Sequence, residues 1–214
     1  MKIEWFGHSC FKLTESTGTS VVTDPYHSYI GHELPEIEAD AVTVSHRHED
    51  HCAVNKIKGN PIVLDKIGAF EIKGIHIYSI MSYHDQKKGS LRGRNLVFKY
   101  RIDGVDVCHL GDIGEELSPM LAELITPINV LFIPVGGRYT INAKQAKEYV
   151  DFLMPDIVIP MHYANKDTML DIAPVDDFLD LFASKDIEYI KGNSIELNRT
   201  NFDGEKTRVI VLER

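Results

Sequence analysis

The stretch Ser45 to Cys52 reads SHRHEDHC, and the five residues ending in Ser45, AVTVS, form a short apolar run of strand character. This junction limits the fold more than any other part of the chain. It sets three of the ten histidines and an aspartate on one turn directly after a buried strand. In extended backbone, side chains two apart point the same way, so His46 and His48 can converge on one metal ion. As the chain turns, Asp50 and His51 can face a second. Two metals roughly 3.5–4 Å apart are the arrangement that activates a bridging water. A polar turn can also carry histidines and bind nothing, so the rest of the chain has to supply the missing ligands.

Three later residues offer themselves. His84 follows the strand run GIHIYSI, Asp112 follows VDVC with Gly111 allowing a tight turn beside it, and His162 follows the apolar run IVIP. All three stand where strands end and loops begin, the place where α/β-type folds gather functional groups. Taken singly, each reads equally well as a packing or capping residue.

The strand signals recur along the chain. IEWF, CFKL and TSVVTD come first, then a polar stretch with two prolines, PYHSYIGHELPEIEAD, that reads as a long loop. PIVL, GIHIYSI, NLVFKYRI and VDVCHL continue the series. EELSPMLAELI reads as a helix with acidic residues in its first turn. A second helix starts at Asn142, an N-cap with Gln145 three residues on; Ala146, Val150 and Leu153 form its apolar stripe, and Pro155 stops it. VLFIP and IVIP are continuous apolar runs, suited to strands buried on both faces. A last helix is expected near Pro174 to Ser184, before IEYI, SIEL and RVIVL. This order predicts an α+β fold, a two-sheet core with outer helices, in a single domain spanning residues 1–214.

Composition narrows the function. A formal charge of -9 over 214 residues argues against a dedicated nucleic-acid binder. Cys10, Cys52 and Cys108 are odd in number and far apart, which fits reduced thiols and a cytoplasmic chain; no signal-peptide pattern and no membrane-crossing apolar run is visible. Cys52 reads as a small buried residue.

HRHEDH matches the H-x-H-x-D-H motif of the metallo-β-lactamase-fold hydrolases. Beyond it, HDQKKGSLRGRNLVFKYRIDGVDVCHLGD, IPVGGRYTINAKQA and PDIVIPMHY resemble successive blocks of one branch, the zinc-dependent hydrolases related to the L-ascorbate-6-phosphate lactonases. GHSCF and TDP resemble that branch's opening pattern. The resemblance covers roughly three quarters of the chain. It implies a four-layer αββα sandwich with the site at one edge between the sheets. It also implies that His46, His48 and His84 hold one metal, that Asp50, His51 and His162 hold the other, and that Asp112 bridges. No cysteine stands where the zinc β-lactamases with a Cys ligand need one, so antibiotic hydrolysis is not the expected role.

The expected activity is a dinuclear metal-dependent hydrolase that sets a metal-bridging hydroxide on a small anionic ester, lactone or phosphodiester, with Asp50 as the catalytic carboxylate. Zinc suits five imidazoles and two carboxylates, while manganese or iron also fit. His8 and Asp24 are expected to hold ligand rings or the nearby turn. Arg92, Arg94 and Arg138 offer forks for an anionic substrate, Tyr139 a hydroxyl, and Gly136 and Gly137 a close backbone approach to it. His109 shares a strand face with Val105 and Val107 and is expected to point inward; His27, His32 and His76 are read as solvated or incidental. The rival readings are a phosphodiesterase or nuclease on nucleic acid, and a non-catalytic metal-binding regulatory module.

Overall fold

The computed structural model of the protein describes residues 1–202 and 204–214. Three strands open the chain: β1 (Lys2–Gly7), β2 (Cys10–Thr14) and β3 (Ser20–Thr23). Then come β4 (Ile37–Glu38), β5 (Ala41–Thr43), β6 (Ile57–Lys58) and β7 (Ile62–Leu64). A meander follows of β8 (Gly68–Ile72), β9 (Ile75–Tyr83), β10 (Arg94–Ile102) and β11 (Val105–His109). Helix α1 (Pro119–Ile125) leads to β12 (Val130–Pro134), and α2 (Ala143–Leu153) to β13 (Ile157–Met161). The chain ends with α3 (Asp176–Leu179), β14 (Ile187–Ile190), β15 (Ser194–Glu196) and β16 (Arg208–Leu212).

Among the described residues these strands build a six-stranded sheet in the order β15-β1-β2-β3-β5-β7 and an eight-stranded sheet in the order β14-β16-β13-β12-β11-β10-β9-β8. Alternation along the strands shows how the sheets meet. In β2, β3 and β5, the side chains of Phe11, Val21 and Ala41 join the large core between the sheets. Their neighbours Cys10, Val22 and Val42 join a second cluster on the other face. Phe11 reaches across and stacks on Phe132 of β12, ring centroids 4.1 Å apart and 3° from parallel. β12 and β13 are buried along their whole length, as their unbroken apolar runs required.

The second cluster corrects the polar-loop expectation for residues 25–40. Tyr26, Ile30, Leu34, Ile37 and Ala39 are all buried under it. Their spacing follows neither a helix nor a strand period, which hides the burial from pattern reading. This segment, with a 3₁₀ turn and the short strand β4 as its regular structure, covers the outer face of the six-stranded sheet. The helices are also shorter than their sequence signals. α1 is capped by Ser118, whose Oγ accepts from the Leu121 amide at 3.1 Å, so Glu115 and Glu116 precede the helix instead of lying in its first turn. α3 shrinks to Asp176–Leu179. In α2, by contrast, the Asn142 and Gln145 side chains each accept from the other's backbone amide, at 3.1 and 3.0 Å. Ala146, Tyr149, Val150 and Leu153 face inward.

Strand direction decides where the functional side chains go. β3, β5 and β7 run parallel, and so do β11, β12, β13 and β16. The carboxyl ends of β3, β5, β11 and β13 therefore open toward one edge of the sandwich, and Tyr83 at the end of β9 reaches the same edge.

Candidate metal centre

Each strand end delivers its residue by a local device. β1 and β2 lose register between Trp5 and Gly7, a bulge that turns His8 out of the ladder with φ +52°. Asp24 and His162, just past β3 and β13, also take left-handed backbone, φ +38° and +53°. Non-glycine residues there cost free energy that the surrounding structure has to offset, and such residues cluster at functional sites. Before Asp112, Gly111 has φ +57°, and a Cβ there would lie 2.4 Å from Asn95 Oδ1 and 2.6 Å from Ser45 Cβ. Only glycine fits.

The donor atoms form two adjoining groups. His46, His48 and His84 come together on one side, and Asp50, His51 and His162 on the other, with His8 as a fourth member of the second group; within each, donor atoms lie within 4.8 Å of one another. Asp112 stands between the groups. Its Oδ2 is 3.3 Å from His84 Nε2, 3.2 Å from His162 Nε2 and 3.8 Å from His46 Nε2, while Oδ1 is 3.2 Å from His51 Nε2. All seven residues of the expected ligand set are thus brought to one place, and His8 stands closer to it than expected, with Nε2 3.2 Å from Asp50 Oδ2.

Asp24 lies beneath both groups and sets their tautomers. Its Oδ1 accepts from the Ser45 amide at 2.7 Å, and its Oδ2 accepts from Ser45 Oγ at 2.5 Å and from His51 Nδ1 at 2.9 Å. A hydroxyl that donates to a carboxylate is free to accept, and Ser45 Oγ accepts from His46 Nδ1 at 2.9 Å. With protons on both Nδ1 atoms, the Nε2 lone pairs of His46 and His51 face the donor groups.

Buried electrostatics point the same way. Burial, with His51 nearby, pushes His46 down to about 3. Burial and His162 push His8 down to about 4. His51 moves oppositely: burial opposes its charge, yet the Asp112 and Asp50 carboxylates raise it well above an ordinary histidine. Asp112 is itself buried, but His162 and His51 hold it well below the usual carboxylate range. Three carboxylates packed among imidazoles favour positive charge at this place, which a bound divalent cation would supply. Among the described residues, His51 Nε2 and Asp112 Oδ1, the atoms that face each other between the groups, have no hydrogen-bond partner, and neither do the Nδ1 atoms of His84 and His162. Buried polar atoms left so are costly unless a ligand satisfies them. Nitrogen and carboxylate donors at this density suit divalent zinc, manganese or iron.

A cavity of about 450 Å³ opens over the centre, lined by His48, Asp50, His84, Asp112 and His162 and also by Arg92 and Tyr139. Of the three arginines expected to meet substrate, Arg92 is the one that lines this cavity, together with Arg47. Its guanidinium donates to the Arg138 carbonyl at 3.2 Å and lies 5.7 Å from the Tyr139 ring centre. The loop carrying it is organised by Asp85, whose carboxylate accepts from the amides of Lys87, Gly89, Leu91 and Arg92 at 2.7–3.1 Å. Arg94 lines an adjoining cavity instead. Arg138 pairs with Asp171 and lines neither cavity, so its charge is already answered. Gly136 packs against the chain itself: a Cβ there would lie 2.2 Å from the His162 carbonyl, which Gly136 meets as an amide donor at 3.1 Å.

Other expectations need adjustment. His109 is buried, accepts from the Gly111 amide at 3.1 Å and donates from Nε2 to the Ser9 carbonyl at 2.9 Å, which ties β11 to the other sheet. His76 is exposed. His32, read as solvated, has both ring nitrogens buried beside Tyr26. Cys52 is half-buried, its thiol reaching toward the Arg47 carbonyl. Ser45, Asn95 and Asp85 escaped the sequence reading. Asn95 accepts from the Asp112 amide at 2.9 Å and donates to the Leu110 carbonyl at 2.8 Å, bracing the bridge turn. Its one sequence signal is a polar residue opening the apolar run NLVF.

Residues 2–162 match the beta-lactamase superfamily domain. An UPF0173 protein of Pyrococcus furiosus is 30% identical over 186 residues, covering 76% of this chain and 83% of the relative. An UPF0173 metal-dependent hydrolase of Thermococcus onnurineus is 26% identical over 192 residues, covering 76% and 84%. Among solved structures, a candidate Zn-dependent hydrolase of the metallo-beta-lactamase superfamily from Thermotoga maritima is 40% identical, aligns over 99% of both chains and superposes with a TM-score of 0.81. These likenesses carry the superfamily and its fold; the narrower likeness to the ascorbate-6-phosphate lactonases rests on the sequence blocks alone.

Proposed function

This chain belongs to the beta-lactamase superfamily and is a metal-dependent hydrolase of it, and from that premise we propose that it is a dinuclear hydrolase acting on a small anionic ester, lactone or phosphodiester. The observation that carries the proposal is Asp112, which faces imidazoles of both donor groups while its Oδ1 and the opposing His51 Nε2 lack hydrogen-bond partners among the described residues. His46, His48 and His84 would hold one metal, Asp50, His51 and His162 the other, and Asp112 would join them. Bound there, a pair of divalent cations would supply a water acidified toward neutral pH and a polarising contact for the scissile group.

The chain's own residues do the rest. Asp50 lines the cavity with its side chain 14% exposed, and its carboxylate would take the proton given up by the attacking water and pass it to the leaving-group oxygen. His8, kept neutral by burial, donates from Nε2 to Asp50 and holds that carboxylate in place. Asp24 and Ser45 keep the His46 and His51 lone pairs turned toward the donor groups. Arg92, fixed between the Arg138 carbonyl and the Tyr139 ring, meets an anionic substituent, and the Tyr139 hydroxyl donates to the substrate.

Elemental analysis of protein purified without chelator tests the metal reading. About two metals per chain, together with turnover of p-nitrophenyl esters or phosphodiesters that chelation abolishes, supports it. One or none, with no uptake on titration, refutes it.

A further inference from the structure

Beside the metal-centre cavity lies a larger one, of about 630 Å³. The two share Arg47, His48 and Arg92 in their walls, so the second cavity adjoins the metal centre. Its remaining lining has two characters. Val44, Ile67, Met81 and Leu96 provide an apolar floor, in which Ile67 is 55% exposed. Lys66 and Arg94 line only this cavity.

The charge here runs against that of the chain. Acidic residues outnumber Lys and Arg by 32 to 23 overall, yet the cavity is lined by four cations and a single carboxylate, Asp65. Asp65 pairs with Arg47. Lys66, Arg92 and Arg94 have no carboxylate partner among the described residues. Unanswered cations around an apolar floor, open to a hydrolytic centre, are the complement of one kind of molecule.

We infer that the natural substrate is an amphiphile: an ester or lactone whose scissile group sits over the metal centre, whose aliphatic limb lies on Val44, Ile67, Met81 and Leu96, and whose far end carries an anion met by Lys66 and Arg94. This rests on the hydrolase reading and deepens it by naming the substrate class. It also gives Arg94 a separate task from Arg92. Arg92 stands at the shared wall and orients the reacting end, while Arg94 reads the far end.

The test uses the metal-loaded full chain and two series of p-nitrophenyl esters, acetyl to decanoyl, one ending in methyl and the other in carboxylate. In the wild type, kcat/KM rises with chain length by up to about fourfold per buried methylene, mainly through KM, until the cavity is filled. Carboxylate-ended esters of middle length exceed their methyl-ended counterparts by about tenfold, in line with a charge-assisted contact. Ile67→Asp, at an exposed position, flattens the chain-length dependence. Lys66→Gln with Arg94→Gln removes the preference for the carboxylate end. Equal kcat/KM for acetyl and octanoyl esters, or a carboxylate preference untouched by the double substitution, overturns the inference. If no ester is turned over, the hydrolase reading is what fails, and calorimetry with suberate then judges the cavity alone. Binding at least tenfold tighter to wild type than to the double variant sustains it, and equal or absent binding overturns it.

Discussion

Asp24→Asn isolates the relay beneath the metal centre. Asparagine keeps the shape of the side chain and tolerates the left-handed backbone at φ +38°, so the fold is retained. The amide oxygen has to take the Oδ1 place, because the Ser45 backbone N–H at 2.7 Å is fixed and can only donate. The amide NH₂ then replaces Oδ2 and points at Ser45 Oγ and His51 Nδ1, which in the native chain both donate to it. His51 avoids the clash by moving its proton to Nε2. Ser45 Oγ, now accepting from the amide, donates to His46 Nδ1 and sends that ring's proton to Nε2 as well. Both protons then block the atoms that would bind metal. Restoring the binding tautomer leaves one buried donor facing another, at about 1–3 kcal/mol for each ring. The expected loss is therefore roughly 10–100-fold in metal affinity at the His51 group and about tenfold at the His46 group. Competition against a chromophoric chelator measures both steps, and long-range nitrogen NMR of the imidazoles reads the tautomers. Affinities within about twofold of wild type at both steps, with unchanged tautomers, would refute the relay.

Three further outcomes follow from the same geometry. Asp112→Asn removes the charge that both donor groups face, so the metal content per chain falls below that of the wild type in elemental analysis while the circular dichroism stays native. Phe132→Ala deletes the ring stacked on Phe11 between the sheets and lowers unfolding free energy by about 3–5 kcal/mol in urea titration; a loss under about 1 kcal/mol would mean the sheets do not meet there. His32 is pushed down to about 4 by burial and then by the positive charge of Arg214. Its folded pKa lies below the unfolded value of about 6.5, so its contribution is fully present above pH 6.5 and fades as pH falls toward 4. Because the residue is only partly buried, His32→Leu should recover roughly 1–2 kcal/mol at pH 4.5 relative to pH 7.5, measured as the difference from wild type at matched metal. A difference that does not change with pH would contradict this.

Much of the fold was legible because its signals are local. A buried parallel strand announces itself as an unbroken apolar run, as in β12 and β13, and the α2 start announces itself through Asn142 and Gln145. Aperiodic burial has no such signature, which is why the layer formed by Tyr26, Ile30 and Leu34 reads as a polar loop. The lengths of α1 and α3 depended on where Ser118 could cap and on what the neighbouring elements covered, and propensity reports neither. Arg138 and Arg92 look alike in sequence. One meets Asp171, and the other is steered into the cavity by a loop wrapped around Asp85.

The sequence by itself determined the chemistry on offer: which residues can donate to a metal, how many there are, and that each follows a strand. Those properties belong to side-chain type and to spacing over a few residues. Tertiary structure alone decided that the strand ends open on one edge, that Asp112 stands between two groups of imidazoles, and that Asp24 and Ser45 turn two rings to face them. Convergence of this kind depends on pairings between distant parts of the chain, such as β3 with β5 and β11 with β12, and on cross-sheet contacts such as that of His109 with Ser9, and no local pattern carries that information.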